Sequence, residues 1–160
     1  HARGCYFYQK MKPQNTPIVV TGSAVQVPPE IASQLGIVIL PLVIMVEGKE
    51  YLDGIDLHPG DLYQKMRTQK IEVKTAAPNV GQYYACFKRI IDQQESDVLC
   101  ITLSGKLSSD YNAAVDAAKM LSGEYPKNKV TVFDSLRAAA PQGLLAVHWQ
   151  QVARFGIKNE

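Results

Sequence analysis

The stretch VLCITLSGKLSSDYNAAVDAA, residues 98–118, runs an apolar segment into a short loop bearing Ser104, Ser108 and Ser109, and then into a helical pattern. Hydroxyls where a strand gives way to a helix have two uses. A serine Oγ can accept a first-turn N–H and so cap the helix. The free N–H groups and partial positive charge of the helix start can also hold an anion, with hydroxyls as extra donors. A carboxylate and a phosphate both fit that description. Asp110, in the first turn, favours the helix but partly offsets the field an anion would feel.

Nucleophilic catalysis suits these serines poorly. TLSGKL is not a Gly-x-Ser-x-Gly elbow, because Thr102 stands two residues before Ser104. His148 falls inside a helical pattern beside Leu144 and Leu145, and His58 precedes Pro59 near a helix start. His58 is the one candidate base for a third reading, a small α/β enzyme acting on a phosphorylated metabolite. Neither G-x-G-x-x-G nor G-x-x-x-x-G-K-[ST] occurs. Asp53, Asp56 and Asp61 match no Ca²⁺-loop spacing and read as turn and helix-start residues. Cys5, Cys86 and Cys100 lie far apart, without C-x-x-C pairs, so no metal and no disulfide framework are expected. Lys106 reads as an exposed loop lysine within reach of an anion.

The elements that must position these loops follow from periodicity. PIVVTG reads as a β-branched strand ending in a Thr21-Gly22-Ser23 turn. VPPEIASQLG reads as a helix started by proline and ended by Gly36. IVILPLVIMV reads as one or two buried strands, and EGKEYLDG as a hairpin leading to an edge. Pro59 to Lys70 places Leu62, Tyr63 and Met66 at helical spacing, and IEVKTAAPN is a strand running into a loop. VGQYYACFKRIIDQQ puts Tyr83, Phe87, Ile90 and Ile91 on one helical face. DVLCITL and KVTVFDS read as strands, Asn112 to Leu121 as an Ala-rich helix, and QGLLAVHWQQVARFG as a last helix closed by Gly156. Strands alternating with helices predict an α/β fold, a three-layer αβα arrangement with a mainly parallel sheet. Ligands of such sheets bind at the carboxyl ends of the strands. Four loops are expected there: Thr21-Gly22-Ser23, Thr75-Ala76-Ala77-Pro78, Ser104 to Ser109, and Asp134-Ser135. Each carries a hydroxyl.

Bulk properties narrow the classes. The 160 residues suit one domain with a core of its own. Seventeen basic against 15 acidic side chains, without a basic stripe, argue against a nucleic-acid partner. The longest apolar run, Gly36 to Val46, is interrupted by Pro41 and is far short of the ~20 residues of a membrane span. Residues 1–16 carry basic side chains and no acid, and read as a polar tail without the apolar region of a signal peptide. A cytoplasmic location is the default expectation.

The order of these motifs resembles the N-terminal part of the DegV family of bacterial fatty-acid-binding proteins. The matching pieces are IVVTGSAVQVPPEIASQLGIVILPLVIMVEGKEYLDGIDLHPGDLY, KTAAPNVGQYYACF, ITLSGKLSSDYNAA and VTVFDSLRAAAPQGLL, in family order from Ile18 to about Gly156. The resemblance implies a DegV-like domain over 17–160, with the family's second domain not among these residues. It implies non-covalent binding of one long-chain fatty acid, with the carboxylate at the serine and threonine loops and the chain in an apolar tunnel between domains. Thr75 matches the family's carboxylate-binding threonine. Ser108 matches the binding serine of its Leu-Ser-Gly-Thr-Tyr segment. Ser104, Ser109 and Ser23 join the candidate set from their loops, with no catalytic residue, no metal and no cofactor. A carrier in lipid metabolism, presenting its ligand to a fatty-acid kinase, is the role the resemblance implies.

Some positions depart from the family's pattern. Gly22 stands where an aspartate is usual, TAAPN keeps only the Thr and Pro of its segment, and Ser109 replaces a glycine. At Ser109 a Cβ would crowd a close backbone approach or forbid a positive φ. A shortened module of this fold that no longer holds lipid and acts in protein association, as a homo-oligomer through an exposed apolar edge, is the alternative expectation.

Overall fold

Val19 and Val20, adjacent in the first strand, are both fully buried, so helices must cover both faces of the sheet. The computed structural model describes residues 16–155, with side chains as far as residue 153. The chain runs β1 (Ile18–Gly22), a 3-10 turn (Ser23–Val25), α1 (Pro29–Leu35), β2 (Val38–Leu40), β3 (Val43–Val46), β4 (Lys49–Leu52) and α2 (Pro59–Thr68). It continues with β5 (Val73–Ala76), α3 (Val80–Gln94), β6 (Val98–Thr102), α4 (Asp110–Glu124), β7 (Val130–Asp134) and α5 (Ala140–Phe155). The basic segment up to residue 15, Cys5 and the expected closing Gly156 lie outside the described residues.

Four strands form a parallel sheet in the order β2-β1-β6-β7. The register sets Val38, Val20, Cys100 and Val132 in one row across it. That row packs under α3 and α4, against Tyr83, Phe87, Ile90, Ala114, Ala117 and Leu121. The next row, Ile39, Thr21, Ile101 and Phe133, faces the opposite side. There α1 and α5 cover Val19, Ile37 and Ile101 with Ala32 and Ala146. The three-layer αβα arrangement is thus observed, each fully buried Val, Ile or Phe contributing about 1.5–3 kcal/mol. Phe133 remains 44% exposed on the edge strand. Among the described residues, no helix is long and apolar enough to cross a membrane.

Local signals place the boundaries. α1 starts on a proline and ends where Gly36, at φ 72°, donates its N–H to Ala32 and Ser33. IVILPLVIMV divides at Pro41 into β2 and β3. β3 then turns back into β4 through Glu47 and Gly48, both with positive φ, as the twist of a two-residue hairpin demands. α3 carries a capping box in which Asn79 and Gln82 bond each other's backbone.

Two expectations change. β5 does not join the parallel sheet: it pairs antiparallel with β3, in a small sheet ordered β4-β3-β5. Its pattern, with one face lightly covered by Leu57 and Leu62, is that of a half-solvated antiparallel sheet. The loop after Thr75 therefore leaves this sheet and not the parallel one. On α2 only Leu62 turns inward, while Tyr63 and Met66 are 60% and 49% exposed.

The approach of α5 to the turn after β1 depends on Gly143. A Cβ there would stand 2.4 Å from the Val25 carbonyl oxygen and 3.0 Å from the Val27 side chain. Gly143→Ala should destabilise the protein by about 1–3 kcal/mol in urea unfolding, although alanine favours a helix by roughly 1 kcal/mol. A neutral or stabilising result would contradict this packing.

Candidate functional site

β1 feeds α1 on one face of the sheet, while its neighbour β6 feeds α4 on the other. The chain therefore diverges beyond Gly22 and Thr102 and opens a crevice at the switch point. Three segments border it: the turn after β1, the β6–α4 loop and the β7–α5 loop.

The β6–α4 loop folds around Ser104. Its carbonyl accepts the N–H groups of Leu107 (2.9 Å) and Ser108 (3.1 Å), and its Oγ accepts the Lys106 N–H at 3.3 Å. Ser108 Oγ accepts the Asp110 N–H at 3.2 Å. Capping of α4 thus falls to Ser108, whereas Ser109, the residue before the helix, makes no side-chain cap bond. The Ser109 backbone sits at φ −73°, so the expected need for a positive φ does not arise. The hydroxyl hydrogens of Ser104 and Ser108 have no acceptor among the described residues.

A carboxylate that the periodic pattern does not reveal as a site residue anchors this loop. Asp110 is 3% exposed, and its carboxylate accepts the Tyr83 hydroxyl (2.5 Å) and the Leu103 N–H (3.0 Å). It thereby ties the end of β6 to α3 and to the first turn of α4. Burial pushes the Asp110 carboxyl above its ordinary range, against the pull of those two donors. Burial and the nearby Cys100 and Asp110 likewise push Tyr83 well up.

The β7–α5 loop is laced to the first. Asp134 accepts the Gly105 N–H at 3.2 Å and the Leu136 N–H at 2.9 Å, and the Arg137 carbonyl accepts the Ser104 N–H at 2.9 Å. A Cβ on Gly105 would stand 3.1 Å from the Asp134 carboxylate, so glycine suits this approach. Ser135, 6% exposed, donates to the Arg137 carbonyl and accepts the Arg137 N–H. Between β1 and β6, Gln142 of α5 donates to Thr21 Oγ1 (3.1 Å) and to the Ile101 carbonyl (3.2 Å).

The remaining candidates occupy different settings. Ser23 donates to Asp53 at 2.6 Å and accepts the Leu42 N–H at 3.0 Å, so its hydrogen is already engaged. Thr75 is exposed on β5 opposite Ile44, four residues beyond the last residue of β2. Asp56 accepts the Leu52 N–H, and His58 and His148 are exposed. Among the described residues no three His, Cys, Asp or Glu side chains could hold a metal. Lys106 is exposed, and Cys86 and Cys100 are buried and not joined to each other by a disulfide.

Asp110 gives the fold a pH signature. Its folded pKa lies above the unfolded value, so its contribution is fully present in acid, below ~3.9, and is lost as pH rises through the folded value. Asp110→Asn removes one acceptor but carries no charge to bury. Its destabilisation relative to wild type should therefore be largest near pH 4 and shrink toward pH 8 in urea unfolding. A gap that widens with pH would contradict the assignment.

Comparison with known proteins agrees with this fold. A family model described as "Uncharacterised protein, DegV family" matches residues 18–160. A DegV domain-containing protein of Listeria innocua is 29% identical over 142 residues, covering 89% of this chain and 48% of the relative. A stearic-acid-binding protein of Eubacterium ventriosum superposes with a TM-score of 0.82 at 27% identity, covering 89% of this chain and 49% of that one. A Thermotoga maritima protein described as revealing a fatty-acid-binding function gives a TM-score of 0.77 at 26% identity, over 91% and 52% of the two chains. The chain spans about half the length of these relatives. From Ile18 onward, this chain belongs to the DegV family.

Proposed function

We propose that the chain binds a long-chain fatty acid non-covalently, with the carboxylate at the β6–α4 loop. The observation that carries this reading is the pair of hydroxyl hydrogens on Ser104 and Ser108, which have no acceptor among the described residues, in the loop that leads into the 15-residue helix α4. Both side chains can donate to a carboxylate while their oxygens stay bonded to backbone N–H groups. Ser109, exposed beside them, borders the same head group. Thr75, exposed on β5 of the separate sheet, is the further hydroxyl donor of this reading. Ser23 acts at one remove, holding Asp53 and the Leu42 amide in place.

The acyl chain needs apolar surface, and the two loops supply some. Leu107 and Leu136 are 69% and 60% exposed, one on each loop. The fatty acids named for the Eubacterium ventriosum and Thermotoga maritima proteins are consistent with this ligand class. We read the role as a carrier's, with a fatty-acid kinase as the protein receiving the presented carboxylate. Ser104 and Ser108 accept from backbone amides, and among the described residues neither donates to a histidine base, which suits holding better than nucleophilic attack.

Ser108→Ala removes one charge-assisted hydrogen bond and should weaken fatty-acid binding by about 1.5–3 kcal/mol, roughly 10- to 150-fold. Titration calorimetry of both proteins with one fatty acid checks this. Unchanged affinity would place the carboxylate elsewhere. No binding by either protein would favour the association module, for which Leu107 and Leu136 would be contact residues.

A further inference from the structure

Among the described residues, no cation balances the buried Asp110 carboxylate. Its carboxylate partners are the Tyr83 hydroxyl and the Leu103 amide, and neither carries positive charge. Among the described residues, the titratable groups that interact with it are Tyr83 of α3 and Cys100 of β6, each of which can ionise only to a further negative charge. On the neighbouring loops Lys106 is exposed, and Asp134 holds the Gly105 and Leu136 amides. The Asp110 N–H lies 3.2 Å from Ser108 Oγ, and a ligand oxygen accepting from that hydroxyl sits only ~2.5–3.0 Å beyond it. A carboxylate bound at Ser108 would thus sit at the first turn of α4, close to the buried Asp110 carboxyl. A like charge nearby disfavours the ionised form of the buried group.

We propose that a carboxylate ligand at Ser108 binds together with one proton, which Asp110 takes up. The proposal rests on the fatty-acid reading above. The ligand arrives ionised, a proton comes from solvent, and the complex holds a carboxylate beside a neutral Asp110. The Tyr83 hydroxyl can turn from donor to acceptor and receive the new Asp110 O–H. Burial already holds the Asp110 carboxyl above its ordinary range before any ligand arrives. By linkage, affinity then falls by up to about tenfold for each pH unit above the free protein's Asp110 titration.

The test is titration calorimetry of the 160-residue chain with decanoate at pH 7, in buffers of different ionisation enthalpy. The expected result is a net uptake approaching one proton, with affinity declining from pH 6 to 8. Asp110→Asn should abolish the uptake and bind decanoate more tightly at pH 7. Tyr83→Phe, which keeps the carboxyl but removes a donor to it, should move the uptake window to higher pH. Binding without buffer dependence in the wild type, equal uptake in Asp110→Asn, or an unmoved window in Tyr83→Phe would each overturn the proposal. A chain that binds neither decanoate nor stearate would instead overturn the fatty-acid reading, and proton coupling with it.

Discussion

The buried Asp110 carboxylate is where three elements of the fold meet. One oxygen receives the Tyr83 hydroxyl from the first turn of the core helix α3, and the other receives the Leu103 amide as β6 ends. The same residue opens α4, and its own amide closes on Ser108. Without this anchor, the path from Thr102 to the helix would be set only by loop contacts. With it, Ser104 and Ser108 are fixed relative to the sheet, and the loop geometry inherits the rigidity of the core. The arrangement costs desolvation of a carboxyl group, which hydrogen bonds from Tyr83 and Leu103 partly offset.

A second layer of bonds makes the two carboxyl-edge loops one unit. Asp134 holds Gly105, and the Arg137 carbonyl receives the Ser104 amide, so neither loop can shift without the other. α5, seated close to the turn after β1 because Gly143 has no side chain, sends Gln142 back to Thr21 and Ile101. The Thr21 hydroxyl is thereby satisfied inside the protein, donating to the Ile101 carbonyl and accepting from Gln142. The hydroxyl hydrogens of Ser104 and Ser108 have no such partner among the described residues.

Much of this was legible from the sequence, for reasons particular residues show. The row Tyr83, Phe87, Ile90 and Ile91 reads as a helix face because burial enforces the 3.6-residue period, and all four are buried. Gly36 and the proline starts of α1 and α2 mark boundaries because backbone geometry there admits few residues. Which sheet a strand joins is a different matter. IEVKTA alternates like any half-buried strand, and nothing local says that it pairs with β3 and not with β1. The apolar spacing of Leu62, Tyr63 and Met66 likewise cannot show that the small sheet is broad enough to cover only the first.

In the site, Ser104 and Ser108 were visible because hydroxyls at a strand-to-helix junction have few uses. Ser23 looked equivalent by loop position, and only its bond to Asp53, thirty residues away, separates it from them. Asp110 and Tyr83 were hidden by their own good fit to local rules. An aspartate in a first turn reads as a dipole partner, and a tyrosine on an apolar face reads as core. Their meeting spans 27 residues and exists only in three dimensions.

The most direct test of the central claim, a fatty acid held at this carboxyl edge, is native mass spectrometry of the protein purified from a bacterial host. A denatured run on the same sample supplies the mass of the chain alone. The account predicts a native mass heavier by one fatty acid per chain, with that excess lost on denaturation. A bare native mass, unchanged after incubation with excess long-chain fatty acid, would contradict it.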